Sequence, residues 1–96
     1  MRNLHQPATT PEEIAEFISI MRNPLKKGIS IVLVTYQRRG KSPEKAYAVF
    51  DGSDGSYISL KLKEDHTLTL DIEKILQIQE ISLVQATQLL TVMLKM

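Results

Sequence analysis

The densest group of functional side chains in this sequence is a cluster of cations between two apolar segments. Arg38, Arg39 and Lys41 lie in the polar segment 37–43, and Lys45 follows it. Lysine and arginine side chains neutralise phosphates and release counterions, which gives affinity for nucleic acids without sequence preference. The competing interpretation is a solvated hairpin loop whose charges contact only water.

Two tyrosines flank this basic loop, Tyr36 before it and Tyr47 after it. Proteins that bind single-stranded nucleic acids commonly stack bases on exposed aromatic rings, so exposed tyrosines here would add a stacking surface. The alternative is that the two rings fill the core and the rim of a small barrel. The predicted nucleic-acid site comprises Arg38, Arg39, Lys41, Lys45, Tyr36 and Tyr47.

The charge of the chain is unevenly distributed. The formal net charge is +1, yet seven of the 12 lysine and arginine residues fall within residues 22–45, where the only acid is Glu44. Two of these cations, Lys26 and Lys27, precede the first predicted strand, which would separate them from the basic loop by roughly 25 Å. A local positive field is therefore expected, whereas a uniformly basic protein is excluded.

Other motifs do not meet the requirements of catalysis or metal binding. Residues 51–56 begin like a calcium loop, but position 12 counted from Asp51 is Leu62, where a bidentate glutamate is needed. His5 and His66 lack the spacing of further zinc ligands and are interpreted as surface residues. The chain contains no cysteine, nucleophile motif or phosphate-binding glycine loop. We therefore expect a protein that is not an enzyme and uses no metal or cofactor.

Length and composition place these residues in one domain. A chain of 96 residues, with 43% hydrophobic and 24% charged residues, supports a single hydrophobic core. No apolar run approaches the roughly 20 residues that a membrane helix needs, and the first ten residues lack the apolar stretch of a signal peptide. Together with the absence of cysteine, this composition predicts a soluble cytoplasmic protein without a membrane partner.

The elements that must position the basic loop begin with a helix predicted over residues 10–23. Thr10 and Glu13 form the pattern of a capping box, and Pro11 suits the first helical position. Four apolar residues recur at helical spacing, namely Ile14, Phe17, Ile18 and Met21. Residues 1–9 show no period and are predicted to be a flexible arm.

Five strands are predicted after this helix. They cover about residues 29–36, 46–51, 57–63, 67–71 and 75–80. The first is apolar at almost every position, so we expect it to be central and buried on both faces. Residues 52–55 are predicted to connect the second and third strands, and a single helical turn at 72–74 to precede the fifth. The expected fold is an α+β domain over residues 10–96 containing a small five-stranded antiparallel barrel.

A second helix is predicted over residues 82–95, opened by a capping box of Ser82 and Gln85. Apolar residues surround most of its circumference, whereas packing on one core needs a stripe of about 100°. The surplus favours self-association, with a dimer as the simplest case. The alternative is burial in a groove between the barrel and the first helix. The predicted oligomer interface comprises Leu83, Leu90, Met93 and Leu94.

The order of these elements resembles a small SH3-like or Sm-like barrel. The resemblance depends on the apolar strand ending at Tyr36, on residues 46–50, and on residues 68–78, where a strand, one helical turn and a short apolar strand follow one another. With the acidic helix start at residues 11–14, the chain resembles the YolD-like family of small bacterial proteins over about residues 11–81. This resemblance implies association with error-prone DNA polymerases of the DNA-damage response.

Two functional hypotheses follow. In the first, the protein is a non-enzymatic, dimeric binding module for nucleic acid or for a nucleic-acid enzyme, such as a translesion polymerase in DNA repair. In the second, it is a protein-interaction or oligomerisation module that uses the apolar face of its C-terminal helix and has no affinity for nucleic acid.

Overall fold

A computed structural model of the protein describes residues 3–23, 30–63, 66–82, 84 and 87. These residues form a five-stranded antiparallel sheet with one helix. The elements are α1 (Pro11–Met21), β1 (Ile31–Tyr36), β2 (Glu44–Asp54), β3 (Tyr57–Lys63), β4 (His66–Asp71), a 3₁₀ turn (Ile72–Lys74) and β5 (Ile75–Glu80). No helix of this described part is long and apolar enough to cross a membrane.

Helix α1 begins with the capping box that the sequence predicts. The Glu13 amide donates a hydrogen bond to Thr10 Oγ1 at 3.1 Å, and the Thr10 amide donates to Glu13 Oε1 at 3.2 Å. The helix ends at Met21, with Arg22 as its C-cap. Its buried face consists of the four predicted residues Ile14, Phe17, Ile18 and Met21. Helix α1 packs this face on the core and contacts β5 and the 3₁₀ turn.

The sheet has the strand order β4-β3-β2-β1-β5, with every pair antiparallel. Strands β4 and β5 are the outer strands, and no pairing joins them within the residues that the structure describes. Closure into a barrel is therefore not found, which corrects that part of the predicted fold. The second edge of β5 is instead hydrogen-bonded to the chain before α1.

That chain before α1 lies along β5, where the sequence predicted a flexible arm. The Ala8 amide donates to the Ile78 carbonyl at 2.8 Å, and the Ile78 amide donates to the Ala8 carbonyl at 3.1 Å. Nearer the N-terminus, the Glu80 amide donates to the Leu4 carbonyl at 2.8 Å. Ala8 has no exposed surface. These contacts are backbone hydrogen bonds, which leave no hydrophobic period in the sequence.

Strand β1 is buried on one face rather than on both. Val32, Val34 and Tyr36 lie in the core, whereas the alternating residues Ile31 and Leu33 are half-buried. The core lies between α1 and the face of β1 that carries Val32, Val34 and Tyr36. Its largest fully buried side chains are Phe17, Ile58, Leu60, Ile78, Val32 and Val34.

Strand β2 is longer than the predicted 46–51 because it continues through a bulge. The pairing register with β3 shifts between Phe50 and Gly52, and Gly52 has a φ of 152°, which side chains disfavour. The strand therefore runs to Asp54, and the connection to β3 is only the turn at Gly55 and Ser56. Gly55 has a φ of 61°, as the first central residue of a type II′ hairpin turn requires.

Candidate nucleic-acid interface

The basic loop between β1 and β2 contains a defined turn. The Lys41 amide donates a hydrogen bond to the Arg38 carbonyl at 3.0 Å, closing a four-residue turn. Gly40 is its third residue and has a φ of 76°, which a type II turn requires at that position. The Gln37 side-chain amide also donates to the Lys41 carbonyl at 2.9 Å. One hydrogen-bonded turn thus carries the cations Arg38, Arg39 and Lys41.

The end of β1 fixes this turn beside the 3₁₀ turn. The Gln37 amide donates to the Lys74 carbonyl at 3.0 Å, so Lys74 joins the predicted cations. Lys74 Nζ lies 3.9 Å from Asp71 Oδ2, and both side chains are almost half exposed. An exposed pair at this distance is weak, so Lys74 can contact another anion.

The basic turn forms one wall of an open cleft of about 490 Å³. The cleft is lined by Arg38, Arg39, Lys41, Tyr57, Thr69, Leu70, Asp71 and Lys74. This lining contains four cations against a single carboxylate. A cleft lined by one sign of charge concentrates the field and attracts counterions, so this cleft favours an anionic ligand.

A second recess of about 330 Å³ lies beside the cleft. Three of its lining residues, Arg38, Arg39 and Lys74, also line the cleft. These cations therefore stand between the two recesses and can contact an extended anionic chain that occupies both. Arginine is suited to this role because its planar guanidinium binds phosphate oxygens in pairs.

Tyr36 supports the site from the core and is not a stacking surface. Its side chain is 6% exposed, and the Arg38 guanidinium carbon lies 5.6 Å from the ring centroid. Its hydroxyl donates a hydrogen bond to Glu44 Oε2 at 2.9 Å. Burial raises the pKa of Tyr36, and the hydrogen bond and charge of Glu44 raise it further, while Arg38 opposes them. Tyr36 therefore fills the core, as the alternative interpretation of this residue predicted.

Lys45 and Tyr47 lie away from the cleft. Lys45 pairs with Thr35 of β1, and Tyr47 pairs with Leu33 of β1. Both side chains therefore lie on the sheet face opposite the core. Neither lines the cleft, although Tyr47 is 48% exposed. The predicted six-residue site is therefore divided, with only Arg38, Arg39 and Lys41 meeting in one place.

Two cleft residues were missed by sequence reasoning, Tyr57 and Lys74. Tyr57 is 48% exposed and is the first residue of β3, where it pairs with Asp71 of β4. The predicted order of strands and turns gave an indirect indication that these two residues lie near each other. A hairpin between β3 and β4 followed by a helical turn brings the start of β3 close to Lys74, but only the sheet order brings both to the basic turn.

The remaining candidates add no further site. His5 and His66 are exposed, and no group of three acidic or histidine side chains that could hold a metal ion occurs in the part of the chain described. The calcium-like segment lies mainly in β2. Lys26 and Lys27, and the predicted interface residues Leu83, Leu90, Met93 and Leu94, lie outside the described residues.

The described residues form a five-stranded antiparallel sheet with one helix, and an open cleft is lined by four cations and Tyr57. Comparison of the chain with protein-family models, with curated proteins and with solved structures finds no match. The resemblance to the YolD-like family stays a prediction.

Proposed function

We propose that this protein is a non-enzymatic, cytoplasmic nucleic-acid-binding module whose cleft holds the phosphate backbone. The observation that carries the proposal is the convergence of Arg38, Arg39, Lys41 and Lys74 on one open cleft. Two of these cations are arginines on a hydrogen-bonded turn, so little ordering of the backbone is needed when an anion binds.

The number of cations predicts the salt dependence of binding. If each of the four contacts one phosphate, log Kd should change with log salt concentration by a slope of about 3 for single strands and about 3.6 for duplex. Fluorescence anisotropy of labelled oligonucleotides, titrated with the protein at several salt concentrations, measures this slope.

The decisive variant is Arg38→Ala with Arg39→Ala. We expect weaker binding of a single-stranded oligonucleotide and a salt slope lower by about 1.4, because two phosphate contacts are lost. The matched control is Lys45→Ala with Lys61→Ala, which removes the same charge from exposed strand positions that do not line the cleft. If the two double variants weaken binding equally, the cleft is not the phosphate-binding site. If the wild-type protein does not bind at low salt, direct nucleic-acid contact is refuted.

The resemblance to the YolD-like family extends this proposal to a biological setting. On that resemblance alone, we propose that the protein acts beside an error-prone DNA polymerase in DNA repair. A module that holds the phosphate backbone without reading sequence suits such a role, because damage occurs in any sequence.

We also propose that the protein is a homodimer formed through the C-terminal segment. Val84, in the segment predicted to be helical, is 66% exposed, the largest value among the exposed large hydrophobic residues described. A single exposed residue is ordinary, so the proposal depends on the apolar residues that surround most of the predicted helix over residues 82–95 and favour association with a second copy. If the protein associates in this way but binds no nucleic acid, the second hypothesis, a protein-interaction module, takes precedence.

A further inference from the structure

We infer that the cleft takes a single-stranded nucleic acid and that one of its bases stacks on the ring of Tyr57. This inference deepens the proposed function and depends on it, because Arg38, Arg39 and Lys74 must hold the phosphates on either side of the stacked base.

The ring of Tyr57 is positioned to contact a ligand in the cleft. Tyr57 lines the same cleft as the four cations and is 48% exposed, so part of its surface is open to a ligand. Of the three tyrosines in the chain, Tyr36 is covered by Arg38 and Tyr47 does not line the cleft. Tyr57 is therefore the tyrosine that can contact a base while phosphates contact the basic turn.

The local structure holds Tyr57 in place. It follows the tight turn at Gly55 and Ser56 and pairs with Asp71, whose neighbour Ile72 donates its amide to the Ser56 carbonyl at 2.8 Å. A ring carried on a paired strand needs little ordering when a base stacks on it.

Stacking on a side chain selects single strands. In a duplex each base is already stacked between its neighbours, so a protein ring reaches a base face only when the base is unpaired or extruded. The cleft of about 490 Å³ falls in the size range of small-ligand pockets, so it can hold one unpaired or extruded base. Because every base has a π-face, we expect little preference among sequences.

The test separates stacking from phosphate binding by comparing a labelled oligothymidylate with an abasic oligomer of the same length. In anisotropy titrations, Tyr57→Ala should weaken oligothymidylate binding by about 5- to 150-fold. The same variant should leave abasic binding unchanged, because the phosphate contacts persist. Tyr57→Phe keeps the ring and should bind like wild type.

Tyr47→Ala is the matched control, since Tyr47 is also 48% exposed but lies outside the cleft. A thermal melt of each variant verifies that it is folded. The inference is overturned if the Tyr57 and Tyr47 variants weaken binding equally, if Tyr57→Ala weakens both oligomers equally, or if a duplex of the same length binds tighter than the single strand.

The outcomes also distinguish base stacking on Tyr57 from the proposed function, phosphate binding by the cleft. If wild type binds both oligomers, loses affinity on Arg38→Ala with Arg39→Ala, and is unaffected by Tyr57→Ala, stacking is refuted and phosphate binding stands. If wild type binds neither oligomer at low salt, both fail. DNA and RNA oligomers are titrated in parallel to establish which sugar the cleft prefers.

Discussion

The hydrogen bond between Tyr36 and Glu44 offers a quantitative test of how the basic turn is supported. The ring of Tyr36 lies in the core beneath Arg38, and its hydroxyl donates to Glu44 Oε2 at 2.9 Å. Tyr36→Phe removes only this hydroxyl, so the ring stays in the core and beneath the guanidinium.

The expected loss of unfolding free energy follows from the burial of the two partners. A hydrogen bond to a charged group contributes more than a neutral one, but Glu44 is exposed and can exchange the hydroxyl for water. We therefore expect Tyr36→Phe to destabilise the protein by about 1 kcal/mol. In a domain of this size that lowers Tm by about 4–8 °C.

A double-mutant cycle with Glu44→Ala isolates the pair. Thermal unfolding at neutral pH should give a coupling free energy of about 1 kcal/mol between the two substitutions. Tyr47→Phe is the control, since Tyr47 is 48% exposed and lies on the sheet face away from the core, and it should leave Tm unchanged. Additivity of the two substitutions within about 0.3 kcal/mol would refute the reasoning.

The raised pKa of Tyr36 gives the cycle a pH signature. Because the folded state holds the phenol proton more tightly than the unfolded state, the contribution of Tyr36 is fully present below the unfolded pKa, near 10. It is lost as the pH rises through the higher folded pKa. The difference in stability between wild type and Tyr36→Phe should therefore be constant at neutral pH and shrink above pH 10, and a difference that grows there would contradict the assignment.

Two further predictions concern the ends of the chain. Ala8→Asp places an unpaired charge at a fully buried position beside β5, so it should lower the unfolding free energy by at least about 2 kcal/mol. Gln6→Asp, at a neighbouring exposed position, should change the unfolding free energy by less than about 0.5 kcal/mol. Equal effects of the two substitutions in chemical denaturation would mean that the N-terminal segment is not docked on β5. Leu90→Gln with Met93→Gln should convert a dimer to a monomer in sedimentation equilibrium, and a monomeric wild type would contradict self-association.

Local patterns in the sequence were sufficient for several elements. The capping box at Thr10 and the four apolar residues of α1 act within one helix, so their spacing alone predicts where the helix begins and which face is buried. Strands β3 and β5 and the 3₁₀ turn between β4 and β5 likewise have the predicted bounds. The bounds of β2 were wrong, because a glycine inside a bulge and a glycine in a turn have the same local signal.

Pairings between distant segments were not accessible from such patterns. The docking of Ala8 on Ile78 uses backbone groups that every sequence possesses. The open strand order likewise depends on which edges pair, and alternating apolar residues look the same in an open sheet and in a barrel.

The candidate site shows the same division. Arg38, Arg39 and Lys41 are neighbours in the chain, so their position in one loop could be predicted from the sequence alone. The aromatic ring and the further cation that join them, Tyr57 and Lys74, are known only from the folded arrangement of the chain. The physical reason is that cross-strand register and one backbone hydrogen bond, from Gln37 to Lys74, bring together residues from three separate segments, and the spacing of residues along the chain carries no record of either.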